Sequence, residues 1–130
     1  MENFGNNKLK LMIVDDIEDI CEYMQSHFKR RGFTVFTAGS AEDALPIIKE
    51  ECPDIMLLDV NLPKMNGIDM LKLVREFNNT VKVIMVTGYD TDFQKDPEFQ
   101  KLNVLGVMGK PVNIEALDSS IEKITKEPNA

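Results

Sequence analysis

The chain has 130 residues, 43% of them hydrophobic, and a formal net charge of −7 from 15 basic and 22 acidic side chains. That length holds one domain with a real core, and folding buries about two-thirds of the unfolded surface, so neither a disulfide nor a structural metal is needed. An acidic surface with no basic stripe excludes direct binding to nucleic acid, and the apolar run behind the polar Met1–Asn7 is too short to span a bilayer or serve as a signal peptide.

Five short apolar runs alternate with helical patterns, which predicts a parallel sheet with helices on both faces. The first run, Leu9–Val14, is nearly continuous in apolar residues, as a strand covered on both sides should be. Ile17, Ile20, Cys21, Met24 and Phe28 then recur at helical spacing, with Gly32 as the stop. Thr34–Ala38 is more mixed and reads as an edge strand. Ser40 with Asp43 resembles a capping box for a second helix with the stripe Ala41, Ala44, Leu45 and Ile48; Pro46 inside it predicts a kink or a delayed start. Ile55–Leu58 is the third strand, and the Asn66-Gly67 turn launches a helix carrying Met70, Leu71 and Val74. Val81–Val86 is the fourth strand. The segment Tyr89–Asn103 is polar, poor in apolar anchors, and uses Asp96-Pro97 as N-cap and first position of a helix only a couple of turns long. Val104–Met108 is the fifth strand, and Asn113 caps a last helix with the stripe Ile114, Leu117, Ile121 and Ile124. The expected unit is a single domain over 1–130, with flexible ends at 1–7 and 127–130.

Outside these patterns little is left over. Cys21 and Cys52 lack metal-ligand or redox spacing and read as small core residues of a reduced, cytoplasmic protein. His27, the sole histidine, lies off the main apolar stripe and reads as a surface residue. The eight methionines read as core packing.

The chemistry sits just past the strands. Asp15 and Asp16 follow the first, Asp59 the third, Thr87 the fourth, and Lys110 lies near the end of the fifth. Ligands of open parallel sheets bind outside the carboxyl ends of the strands, where these five groups gather. An Asp after a strand is often only a helix N-cap, and Asp16 could cap a helix starting at Ile17. Five suitable residues at four strand ends are harder to dismiss. Clustered carboxylates raise one another's pKa, and a hard divalent cation such as Mg2+ relieves the repulsion. Asp59 would then serve as nucleophile toward a phosphoryl group, with Lys110 and Thr87 on its oxygens and Gly88 leaving room at the mouth.

The pieces VDD (Val14–Asp16), LLDVNLPKMNG (Leu57–Gly67), VTG (Val86–Gly88) and GKP (Gly109–Pro111) make the chain resemble the response-regulator receiver family from Lys8 to about Lys126. The resemblance implies a flavodoxin-like, doubly wound five-stranded sheet of order 2-1-3-4-5 with five surrounding helices, the topology of the family's chemotaxis member. It implies that Asp59 accepts a phosphoryl group, that Asp15, Asp16, Asp59 and the backbone carbonyl of Asn61 ligate Mg2+, that Thr87 and Lys110 bind the phosphate, and that the Lys110–Pro111 bond is cis. It implies a histidine kinase or histidine phosphotransfer protein as donor and a downstream effector protein or fused output domain as recipient. The only catalysis expected is of the domain's own phosphorylation and slow dephosphorylation. Many receivers carry Tyr or Phe three residues before the Lys; here Val107 stands there.

Rival readings fit less well. A flavodoxin-type FMN site needs a phosphate loop after the first strand, where DDIEDI would repel the flavin phosphate. A haloacid-dehalogenase phosphatase places its nucleophile after the first strand in a DxD pattern, whereas Asp59-Val60-Asn61 follows the third. A degenerate receiver acting only as a binding module would not be expected to keep all of Asp15, Asp16, Asp59, Thr87 and Lys110.

Overall fold

The structure, a computed structural model, describes residues 9–88 and 92–126. The flexible ends expected at 1–7 and 127–130, and the first three residues of the polar segment, lie outside the described residues. Five parallel strands, β1 (Lys10–Val14), β2 (Thr34–Ala38), β3 (Ile55–Asp59), β4 (Lys82–Thr87) and β5 (Val104–Gly109), form one sheet of order β2-β1-β3-β4-β5. Between and after them run α1 (Glu18–Arg30), α2 (Ala41–Glu51), α3 (Gly67–Phe77), α4 (Pro97–Gln100) and α5 (Ile114–Lys126). No described helix is long and apolar enough to cross a membrane.

Strand alternation divides the core in two. Met12, Val14, Met56, Leu58, Val83 and Met85 pack with α2, α3 and α4, while Leu11, Ile13, Ile55, Leu57 and Ile84 pack with α1 and α5. Both faces of β1, β3 and β4 are covered, which accounts for their unbroken apolar runs. Along β4 and β5 the register shifts between Val83 and Ile84, so that Leu105 is an extra residue opposite Val83 and Gly109 pairs with Thr87. That β-bulge puts Val107 on the same side of the sheet as Val104.

The predicted caps at Ser40, Asp96 and Asn113 are in place, and the Asn66 turn also caps the helix it launches. Ser40 Oγ accepts from Asp43 N at 3.1 Å, Asn66 Oδ1 from Asp69 N at 2.9 Å, Asp96 Oδ1 from Glu98 N at 2.9 Å and Asn113 Oδ1 from Ala116 N at 3.0 Å. Gly32 closes α1 with a φ of 100°. Pro46 does not delay α2, which starts at Ala41 as its cap dictates.

Three expectations are corrected. His27 is not a free surface residue: its Nε2 meets both oxygens of Asp118 on α5, at 2.9 and 3.0 Å, and Arg31 joins the same carboxylate at 3.1 Å. A contact 91 positions away leaves no trace in local periodicity. The polar segment is better anchored than its composition suggests. Phe93 and Phe99 meet edge to face at 5.0 Å, and Phe99 and Leu102 are buried. Beside them the Arg75 guanidinium donates to the carbonyls of Leu102 and Val81, both at 2.8 Å, tying α3 to the turn before β5. Burial pushes its pKa down.

Cys52 is the third. It is exposed and caps α2 in the left-handed region (φ 48°, ψ 63°). A side chain there costs about 1 kcal/mol that glycine does not. Cys52→Gly should therefore stabilise the protein by about 0.5–1 kcal/mol, read as a higher denaturant midpoint with unchanged slope; a lower midpoint would contradict the cap geometry.

Candidate functional site

Each site residue is positioned by backbone hydrogen bonds at the carboxyl edge of the sheet. Asp15 N donates to Ala38 O at 3.1 Å, Val60 N to Val86 O at 2.9 Å and Lys110 N to Thr87 O at 2.9 Å, so the ladder continues one residue past the strands and fixes the loops. Asp15 Oδ1 accepts from Ile17 N at 2.8 Å and Asp59 Oδ1 from Asn61 N at 2.9 Å. Each carboxylate thereby uses one oxygen to hold its own turn. The second oxygens converge on Lys110 Nζ, at 2.8 Å from Asp59 and 3.3 Å from Asp15.

Asp16 is exposed and brings a third carboxylate, and one oxygen from each of Asp15, Asp16 and Asp59 lies within 4.8 Å of the others. It does not cap α1; the N-cap is Ile17, with no side-chain bond. Thr87 is buried, with its hydroxyl 3.4 Å from Asn61 Oδ1. Asp15, Asp16, Asp59 and Lys110 therefore meet at one place, and Thr87 stands beside it through Asn61. The Lys110–Pro111 bond is cis.

Gly67 is the glycine this site requires. A Cβ there would stand 2.3 Å from the carbonyl oxygen of Asp59, so α3 can start against the β3 turn only without a side chain. At Gly88 an added Cβ would meet the Lys110 side chain at 3.8 Å, an ordinary contact, so Gly88 is not demanded for space. Sequence reasoning also passed over an apolar wall. A cavity of about 700 Å³ runs from Asp59 and Lys110 along Ile17, Ile20 and Tyr23 of the α1 region to Val112 and Ile114. The signal was present at Ile17, which lies on the helical apolar spacing yet ends 45% exposed.

The electrostatics follow from burial and proximity. Burial first, and then the charge of Asp59, hold the Asp15 carboxyl above its ordinary range despite the Ile17 N–H and Lys110. For Lys110 burial acts downward, but the hydrogen bond to Asp59 and the charges of Asp15 and Asp59 outweigh it and raise its pKa. The Cys21 thiol, buried and beside Asp15, is pushed up to about 11 and donates to the Asp15 carbonyl at 3.2 Å.

Residues 11–122 match the response regulator receiver domain. The chain belongs to the response-regulator receiver family. As a receiver it is 32% identical over 114 residues to sporulation initiation phosphotransferase F of Bacillus subtilis (strain 168), covering 88% of this chain and 91% of that one. It is also 32% identical over 117 residues to the alkaline phosphatase synthesis transcriptional regulatory protein PhoP of the same strain, of whose length it spans 48%. Among solved structures, a CheY-like receiver domain protein from Methanospirillum hungatei JF-1 superposes with a TM-score of 0.85 at 27% identity, covering 93% of this chain and 96% of that one. A two-component response regulator from Clostridium difficile shares the fold at a TM-score of 0.84 and 21% identity, covering 94% and 99%.

The raised Asp15 carboxyl makes the receiver's stability depend on pH. The folded state holds this proton more tightly than the unfolded chain, so the contribution is full below the ordinary carboxylate range and is lost as pH rises through the raised value. Above that raised value the ionised group is less favourable in the fold than in the unfolded chain. Asp15→Asn should raise the denaturation midpoint at pH 7 in the presence of a chelator, with the gain shrinking toward about pH 4. A gain that grows on acidification would contradict this origin.

Proposed function

We propose that this receiver is the phosphoacceptor switch of a two-component or phosphorelay system, taking a phosphoryl group onto Asp59 from a histidine kinase or histidine phosphotransfer protein. The observation that carries the reading is the place of Asp59: 2% exposed, with one oxygen held by Asn61 N–H and the other turned to Lys110 in the cavity. The oxygen that faces Lys110 attacks phosphorus, a P–O bond forms on Asp59, and the bond from phosphorus to the donor breaks. Lys110 Nζ, already 2.8 Å from that oxygen, transfers its hydrogen bonds to the phosphoryl oxygens. The Thr87 hydroxyl exchanges Asn61 Oδ1 for a phosphoryl oxygen.

The donor set suits Mg2+. Three carboxylates with one ammonium leave the cluster two negative charges in excess, and its oxygens are close enough to share one ion. Asp15, Asp16, Asp59 and the backbone carbonyl of Asn61 would hold it. When bound, the ion offsets charge on the carboxylates and the transferring group. Beyond its own phosphorylation and slow dephosphorylation no further catalysis is proposed.

Output passes to an effector protein or a fused output domain, in a cytoplasmic setting. With Val107 where many receivers have a ring, no aromatic side chain can follow Thr87 inward at that position. The stretch from the 3-10 turn Asp92–Lys95 to Asn103 is the proposed responder, moving about its Phe99, Leu102 and Arg75 anchors.

Two measurements test this. Intact-mass spectrometry with acetyl phosphate should show one added phosphoryl group on the unmodified protein and none on Asp59→Asn; full uptake by the variant would sink the assignment. Labelling should stop in EDTA and return with Mg2+, and Asp16→Ala should raise the Mg2+ concentration for half-maximal rate at least about tenfold. An unchanged rate in EDTA would remove the metal from the reaction.

A further inference from the structure

The sheet ends in two edge strands, and only one of them is blunted. β5 carries the bulge at Leu105 and two glycines, Gly106 and Gly109, features that interrupt an edge. β2 pairs with β1 over its whole length without a shift and holds no charge, proline or glycine. Thr34 N donates to Leu9 O at 2.9 Å and Asp15 N to Ala38 O at 3.1 Å, so Thr34, Phe36 and Ala38 face β1. Val35 and Thr37, the alternate residues, turn N–H and C=O outward, and no backbone group of another described segment meets them. A regular row of such groups is a template for a further strand.

We infer that β2 pairs antiparallel with β2 of a second copy about a two-fold axis at Phe36, joining the two sheets into one. The register is self-complementary. Val35 lies opposite Thr37 of the second copy, and Thr37 opposite its Val35, each a hydrogen-bonded pair that exchanges both N–H···O bonds. The half-buried Phe36 then faces its own copy in a non-hydrogen-bonded pair, about 4.5 Å apart at Cα, where side chains stand closest.

The occupant is a copy of this chain because α1 matches itself in the same operation. α1 packs on Leu11, Ile13 and Val35, and its His27 meets Asp118 of α5, so the flank opposite His27 looks past the β2 edge. That flank carries Glu18, Glu22, Gln25 and Lys29 at helical spacing. The axis that reverses β2 also reverses α1, which sets Glu18 opposite Lys29 of the second copy and Glu22 opposite its Gln25. Phe33 N donates to Phe28 O at 3.1 Å, which fixes the level of β2 against α1. Counting back at about 3.3 Å per strand residue and about 1.5 Å per helical residue puts Phe36 beside the middle of this stripe. With strands about 4.8 Å apart, the two α1 helices approach to about 10 Å, the packing distance of helices. An unrelated extended segment would pair with the edge amides but leave the stripe unmatched.

Sedimentation equilibrium of the full chain from about 10 µM to about 1 mM should show the mass rising from 14.8 kDa toward twice that value. Amide exchange at Val35 and Thr37 should slow over the same range, while that of Leu105 and Val107 on the other edge stays constant. Glu18→Lys alone and Lys29→Glu alone set like charges opposite each other and should each weaken the dimer about fivefold; together they should restore it to within about twofold. Both positions are exposed, so neither substitution disturbs the core. A mass of 14.8 kDa at the highest concentration overturns the inference, and so does a dimer whose Val35 and Thr37 amides exchange as fast as in dilute protein. Slow exchange at both amides in a monomer means that the chain covers its own edge, which also overturns it. Failure of the double substitution to recover association overturns the α1 match and the axis with it.

Discussion

Lys110 holds two carboxylates that would otherwise repel each other. Its ammonium lies 2.8 Å from Asp59 and 3.3 Å from Asp15, at the edge where β1 and β3 end side by side. The sheet order makes this crowding unavoidable, because β1 and β3 are neighbours, Asp15 follows the first and Asp59 ends the second. Desolvation sharpens the conflict, and the Ile17 and Asn61 amides satisfy one oxygen each without adding a full positive charge. The site is thus strained in its charge and well ordered in its geometry.

Order in the loops comes from close packing as much as from hydrogen bonds. The start of α3 lies against the Asp59 carbonyl, with Gly67 N donating to Val60 O at 2.9 Å. On the other face, His27 of α1 and Arg31 just past its end share Asp118 of α5, so the two helices that flank the apolar wall are tied together by partly buried polar contacts. The wall is therefore carried partly on a braced pair of helices and partly on the turns that lead into them, at Ile17 and Val112.

What could be read from sequence follows from the range of each interaction. Strand limits were legible within about one residue because both faces of β1, β3 and β4 are apolar, and caps such as Ser40, Asp96 and Asn113 act over three residues. The site was legible because parallel topology brings the residue after each strand to one edge. His27–Asp118, Arg75 to the turn before β5, and the Phe93–Phe99 pair were not. Each depends on tertiary placement that no periodicity encodes. Cys52 misled for a related reason: an apolar residue one step past a helical stripe looks like core, while the chain reversal needed at that step turns it to solvent.

The irregularity in β5 bears on how such a domain can change length. The extra residue, Leu105, lies near the start of the strand, and regular pairing resumes from Gly106 opposite Ile84 to Gly109 opposite Thr87. An added or lost residue in the connection before β5 is absorbed there, ahead of every position that aims a side chain at the site. The segment between β4 and the bulge can thus change in length while Lys110 stays in register with Asp59, so long as Phe93, Phe99 and Leu102 keep their places in the core.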